Sequence, residues 1–98
     1  HGEYKGTPHL NFERLQEIAA EVSVPLVLHG GSGSGDENLS KAVELGICKV
    51  NICTDLLNAA RDNTKDGYAG RSYYDSVTLA KDGIKDCLKH YYEVFHTK

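Results

Sequence analysis

The chain has 98 residues, 40% hydrophobic and 26% charged, with 11 basic and 14 acidic side chains giving a formal charge of −3. That balance excludes the basic clusters that mark nucleic-acid or membrane-surface binding, and the longest apolar run, Val24 to Leu28, is far short of the roughly 20 residues that cross a bilayer. The cysteines, Cys48, Cys53 and Cys87, are odd in number with no Cys-x-x-Cys pair, which speaks against a disulfide framework or zinc knuckle and fits a reducing, cytoplasmic compartment.

In chain order, Asn11 is a good helix cap, and Phe12, Leu15, Ile18, Ala19 and Val22 follow at helical spacing. Leu10 and Leu15 flank that cap as a hydrophobic staple would. Pro25 closes the helix and opens Leu26-Val27-Leu28, apolar on both faces as a buried parallel strand is. The run His29-Gly30-Gly31-Ser32-Gly33-Ser34-Gly35 cannot continue regular structure. Asp36 is placed to cap a second helix that carries Leu39, Ala42, Val43 and Leu45 and stops at Gly46. Cys48 to Ile52 reads as a second strand, followed by a helix to about Arg61. Asp62 to Arg71 reads as a loop. The last helix spans about Tyr74 to Phe95, with Val77, Ala80, Ile84, Cys87, Leu88, Tyr91 and Phe95 on one stripe. That stripe suits a core or a subunit interface equally.

Alternating helices and strands imply an α/β fold with a parallel sheet and crossover helices. A sheet of two strands cannot cover both faces or close its edges. No methionine occurs and the first residue is His1. Both points lead to the expectation of a tail of a larger domain.

Three features could carry chemistry. The glycine-rich loop lets backbone amides converge on an anion, with the dipole of the following helix behind them. It matches neither the P-loop nor the dinucleotide fingerprint, so a plain strand-to-helix turn is the rival reading. Asn51, Ile52, Cys53 and Thr54 stand where the next strand ends, and the ends of neighbouring parallel strands share one rim. Helix capping is the bland role for Asn51 and Thr54. His1 and His29 are each followed by glycine, and His29 closes a strand at that rim. Imidazoles suit Zn²⁺, which in catalytic sites takes three protein ligands, although a hydrogen-bonded core histidine is the commoner fate. His9, His90 and His96 read as surface residues, and the tyrosines as packing.

The stretches His1-Gly2-Glu3-Tyr4-Lys5-Gly6, Leu10-Asn11-Phe12-Glu13-Arg14-Leu15, Pro25 to Gly33 and Lys49-Val50-Asn51-Ile52-Cys53-Thr54-Asp55 resemble, in order and spacing, the C-terminal part of class II, zinc-dependent ketose-bisphosphate aldolases. The resemblance implies a TIM (β/α)8 barrel of about 250 residues or more. Residues 1–98 would be the C-terminal portion of that single domain, supplying the end of strand six, strands seven and eight and the following helices. It implies aldol cleavage or condensation of a fructose- or tagatose-type ketose 1,6-bisphosphate, with dihydroxyacetone phosphate and an aldehyde as the other partners. The parent would be a dimer or tetramer.

By the same resemblance, His1 and His29 are two of three zinc ligands. Gly2, Gly30, Gly31 and Ser32 hold the dihydroxyacetone phosphate end, Lys5 lies near the same phosphate, and Asn51, Ile52, Cys53 and Thr54 form the opposite wall. Carbonyls around Gly2 and Gly30 match a monovalent-cation position (Na⁺ or K⁺) of some members. The third zinc histidine and the acid–base aspartate belong to earlier strands, so no catalytic carboxylate is expected here and the segment alone should be inactive. Cys53 and Leu57 stand where fructose-bisphosphate members tend to have aspartate and arginine, which leaves the sugar open. The rival functions are a non-catalytic sugar-phosphate-binding module and a bare α/β scaffold.

Overall fold

The computed structural model describes residues 4–65, 67 and 69–97. The elements are α1 (Phe12–Glu21), β1 (Leu26–Leu28), α2 (Asp36–Glu44), β2 (Ile47–Val50), α3 (Thr54–Lys65) and α4 (Tyr73–Val94). Helix α1 starts at its expected cap, where Asn11 Oδ1 accepts the Arg14 N–H at 3.0 Å. It ends at Glu21 as the chain turns extended at Val22, ahead of Pro25.

Strands β1 and β2 are parallel, with α2 as the crossover between them. Leu26 pairs with Ile47, Val27 with Lys49 and Leu28 with Val50, with an irregularity between Leu26 and Val27. The second strand is therefore shifted from the expected Cys48–Ile52. Because β1 stops at Leu28, its partner has no strand to pair with beyond Val50. The hydrogen bonds nevertheless continue, from Asn51 N–H to the Leu28 carbonyl and from Gly31 N–H to the Asn51 carbonyl, both 2.9 Å.

Helix α2 is capped by Gly35 rather than Asp36. The positive φ of 88° at Gly35 belongs to a residue without Cβ, and Asp36 becomes the first helical residue. Its carboxylate instead lies 2.9 Å from His90 Nε2 of α4. Gly46, at φ 118°, ends the turn after α2 as its position implied.

Two boundaries move in the C-terminal half. Helix α3 runs on to Lys65, one turn past Arg61, and the polar residues that looked like a loop support that turn. Asp62 lies 3.0 Å from Arg61 and 3.7 Å from Lys65, and Thr64 Oγ1 donates to the Ala60 carbonyl. The Arg61 hydrogen bond holds the Asp62 carboxyl below its ordinary value. Helix α4 starts at Tyr73 because Ser72 and Asp75 form a reciprocal capping box.

Leu39 and Ala42 of α2, Ile47 of β2 and Tyr91 of α4 form the buried apolar core. Helices α3 and α4 pack against one another through small residues. Gly83 is buried, and a Cβ there would lie 2.5 Å from the Ala59 carbonyl oxygen of α3. Ser76 is buried on the same helix, while Val77, expected on the inward stripe, is exposed. Close backbone approach needs small side chains, and Gly83 supplies one where α4 meets Ala59 of α3. The last turns of α4 reach α2, with His96 Nε2 2.8 Å from Ser40 Oγ. His90 and His96 are exposed, as read from the sequence, but each has a partner on α2. Among the described residues no helix is long and apolar enough to cross a membrane.

Candidate functional site at the strand ends

The two loops that follow β1 and β2 meet over an open cleft of about 1210 Å³. Gly31 explains how closely they approach. It is buried, and a Cβ at this position would lie 2.6 Å from Val50 Cγ1 and 2.9 Å from Ile52 Cδ1. Its N–H is bonded to the Asn51 carbonyl, so this amide serves the fold.

Ser32 reaches across to the start of α3. Its Oγ accepts the amide hydrogens of Cys53 and Asp55, each at 3.3 Å. The first turn of a helix has amides without helical partners, and they need a cap. Ser32 supplies it from the neighbouring loop. A hydroxyl accepts through its lone pairs and donates through one hydrogen. With both acceptor roles used, Ser32 retains its O–H for a ligand in the cleft.

Asp55 binds the same loop from α3. Its Oδ2 accepts the Gly33 N–H at 3.2 Å and the Tyr91 hydroxyl hydrogen from α4. Gly33 adopts φ 78°, a conformation that favours glycine and turns this amide toward α3. Tyr91 is 8% exposed. Burial first, and then its hydrogen bond to Asp55, push its hydroxyl well above the ordinary tyrosine range. Cys87, one turn earlier, is likewise raised by burial and then by Asp55. Ser34, 3% exposed, lines the cleft, and its Oγ has no hydrogen-bond partner among the described residues. Just beyond it, the Gly35 cap of α2 makes no side-chain hydrogen bond among the described residues.

His29 follows β1 directly and is exposed on the cleft, its Nδ1 3.0 Å from Asn51 Nδ2. The Lys49 ammonium donates to Asn51 Oδ1. Lys49 therefore orients Asn51, and Asn51 orients the imidazole. Ile52, Cys53 and Thr54 line the opposite side, joined by Leu57, whose side chain is 61% exposed. Gly30 also lines the cleft, whereas Lys5 is exposed between two lining residues, Tyr4 and Gly6, without being one itself. His1 and Gly2 lie outside the described residues.

The fold thus brings together Gly30, Ser32, His29 and the Asn51–Thr54 segment, as neighbouring strand ends should. Sequence reasoning missed Ser34, Asp55 and Tyr91. Asp55 carried a weak signal as an acidic residue in a helix's first turn next to Thr54. Tyr91, 36 residues further on, carried none.

A donor set for a metal is present in kind but not in number. His29 and His9 both line the cleft, but no group of three His, Cys, Asp or Glu side chains converges among the described residues. A catalytic zinc takes three protein ligands, so His29 fits as one of a set completed by other residues. What the described rim offers by itself is the hydroxyls of Ser32, Ser34 and Thr54, a helix start and the imidazoles of His9 and His29, a suitable combination for an anion beside a polarisable oxygen.

Comparison with known proteins fits this geometry. The family profile for class II fructose-bisphosphate aldolase matches residues 1–98. The chain is 46% identical over 85 residues to the 6-phospho-5-dehydro-2-deoxy-D-gluconate aldolase of Shouchella clausii, covering 86% of this chain and 29% of that protein. It is 36% identical over 96 residues to a fructose-bisphosphate aldolase of Staphylococcus epidermidis, covering 91% and 32%. Among solved structures, the YdjI aldolase of Escherichia coli K12 superposes with a TM-score of 0.83 at 35% identity, over 90% of this chain and 34% of that one. The chain spans about a third of the length of these relatives.

Proposed function

We propose an aldol reaction at this cleft, from the premise that the chain belongs to the class II fructose-bisphosphate aldolase family, whose profile matches residues 1–98. In this reading the chain is the C-terminal part of a (β/α)8 barrel, with β1 and β2 as its seventh and eighth strands. The parent would be a cytoplasmic dimer or tetramer that reversibly joins dihydroxyacetone phosphate to an aldehyde. The observation that carries the reading is the junction of the two loops, where Ser32 caps α3 and keeps its hydroxyl hydrogen for the cleft.

The residues divide the work. Gly30, Ser32 and the start of α2 receive the phosphate, which fixes the rest of the substrate against the rim. Asn51, held by Lys49, stands beside His29, where its amide can donate to an oxygen that gains charge as the carbon–carbon bond breaks. His29, with His1, would hold zinc, which when bound supplies a Lewis acid for the ketone carbonyl. The carbonyl of Gly30 would serve a monovalent cation. Proton transfer falls to a carboxylate elsewhere in the barrel.

The aldehyde half is the part that differs. Leu57 presents an exposed apolar side chain to the cleft, next to Cys53. That lining suits an aldehyde without a phosphate at this end better than a bisphosphate. The relative named for a 6-phospho sugar acid therefore fits this wall better than the fructose-bisphosphate relative does.

The test compares kcat/KM for 6-phospho-5-dehydro-2-deoxy-D-gluconate and fructose 1,6-bisphosphate in the full-length protein. The monophosphate should be preferred, and Cys53→Asp with Leu57→Arg should shift the ratio toward the bisphosphate. His29→Ala and prolonged chelation should each abolish cleavage. Full activity after chelation would remove the zinc reading, and sugar-phosphate binding without turnover would favour a binding module.

A further inference from the structure

Tyr91 and Asp55 belong to helices outside the glycine-rich loop, yet they determine where its central amide points. The Tyr91 hydroxyl donates to Asp55 Oδ2, and the same oxygen accepts the Gly33 N–H at 3.2 Å. Asp55 also gives its own N–H to Ser32 Oγ at 3.3 Å. One residue of α3 therefore holds the loop twice, by its carboxylate at Gly33 and by its amide at Ser32.

A carboxylate this close to an anion site works against binding unless its lone pairs are engaged elsewhere. Here Oδ2 is turned onto Gly33 and Tyr91. Tyr91 is a suitable anchor because it is buried among core residues and stacked on Phe95 with ring centroids 5.3 Å apart. Its phenol has few alternative positions. Burial and the bond to Asp55 extend the protonated form further into the alkaline range, so the hydroxyl remains a donor there.

We propose that Tyr91 and Asp55 are positioning residues for the phosphate-binding loop, a brace by which the C-terminal helix sets the placement of Ser32 and Gly33. This rests on the reading of that loop as a phosphate site. Tyr91 does not line the cleft, and Asp55, which does, acts here through its bonds to Gly33 and Ser32. The brace should therefore govern how well a phosphorylated ketone is distinguished from its unphosphorylated counterpart, and leave the carbon–carbon chemistry alone.

The experiment uses Tyr91→Phe in the full-length protein, since this change removes one oxygen and keeps the ring in the core. Asp55→Asn serves as a second variant, keeping an acceptor oxygen while removing the charge. Circular dichroism first confirms that each variant folds. Amide hydrogen exchange at Gly33 then reports the brace directly, and kcat/KM for dihydroxyacetone phosphate against dihydroxyacetone, with one aldehyde, reports its consequence.

Tyr91→Phe should speed Gly33 exchange and lower kcat/KM for dihydroxyacetone phosphate by about three- to tenfold, the range of one net hydrogen bond. The loss should appear in KM, with kcat and the rate on dihydroxyacetone nearly unchanged. Asp55→Asn should act in the same direction. Unchanged Gly33 exchange, or an equal loss on both ketones, would overturn the brace. A wild-type protein with no preference for the phosphorylated ketone would instead overturn the phosphate-site reading. The brace would lose its role with it, while faster Gly33 exchange would still record the bond.

Discussion

Helices α1 and α4 both carry apolar residues at helical spacing, but the fold treats them differently. Helix α4 buries Ser76, Gly83 and Tyr91 and packs closely on α3. Helix α1 has no buried residue, and Ile18 is exposed on it, as are Val22 and Val24 just beyond its end and Val27 on β1. Its links to the described core are lighter, such as the Lys41 ammonium 4.5 Å from the Phe12 ring. An amphipathic pattern states that a face needs cover. Whether cover is present depends on what the rest of the chain places opposite. Where α4 is covered, its partner is the helix that carries Asp55, so packing and site organisation are linked there. The apolar surface around α1 is independent of the cleft loops.

The largest expected effect is at the α3–α4 contact. Gly83→Val puts side-chain atoms where even a Cβ would lie 2.5 Å from the Ala59 carbonyl oxygen. Overpacking of this kind costs about 1–3 kcal/mol, and thermal unfolding of the full-length protein should show Tm lower by roughly 2–4 °C for each kcal/mol. A variant with unchanged Tm would mean the helices are not held as closely as described.

Next comes Tyr91→Phe, which should cost about 0.5–1.5 kcal/mol at neutral pH through the lost hydrogen bond. Its pH dependence sharpens the contrast. A tyrosine held protonated in the fold stabilises fully below its ordinary value of 10.0, and loses that contribution as pH rises from there through the raised folded value. Cys87 acts with the same sign from 9.0 upward. Urea midpoints at increasing alkaline pH should therefore fall faster for the wild type than for Tyr91→Phe, with the Cys87 contribution common to both. Parallel curves would show that the phenol is not held as the structure has it.

The smallest effect is expected on α1. Ile18→Ser removes an already exposed apolar side chain and should change stability by no more than about 0.5 kcal/mol by denaturant titration. A loss as large as that at Gly83 would show that α1 is covered after all and erase the difference between the two helices.

Local features were legible where the chemistry is local. The Asn11 cap, the glycine stop at Gly46 and the short apolar strand Leu26–Leu28 follow from neighbouring residues and appear where expected. The shared rim of His29, Ser32 and Asn51 was legible for a topological reason, since parallel strands joined by a helix end on one side. The added turn of α3 was not, because Asp62 and Lys65 resemble loop residues until they pair along a helix. Val77 was placed inward because apolarity was the only guide, while Gly83 made the contact by being small.

The 98 residues by themselves determined an α/β order, a glycine-rich turn at a strand end and a run of motifs placing the chain among the class II aldolases. These depend on adjacent residues, spacing and chain direction. Only the tertiary structure decided that Ser32 caps a helix it does not directly precede, and that Ser34 has a buried hydroxyl without a partner among the described residues. It alone decided that Tyr91 reaches Asp55 and, through it, Gly33. Hydrogen bonds between distant residues depend on how helices pack, and that packing is set by shape and close approach, which no spacing in the chain encodes.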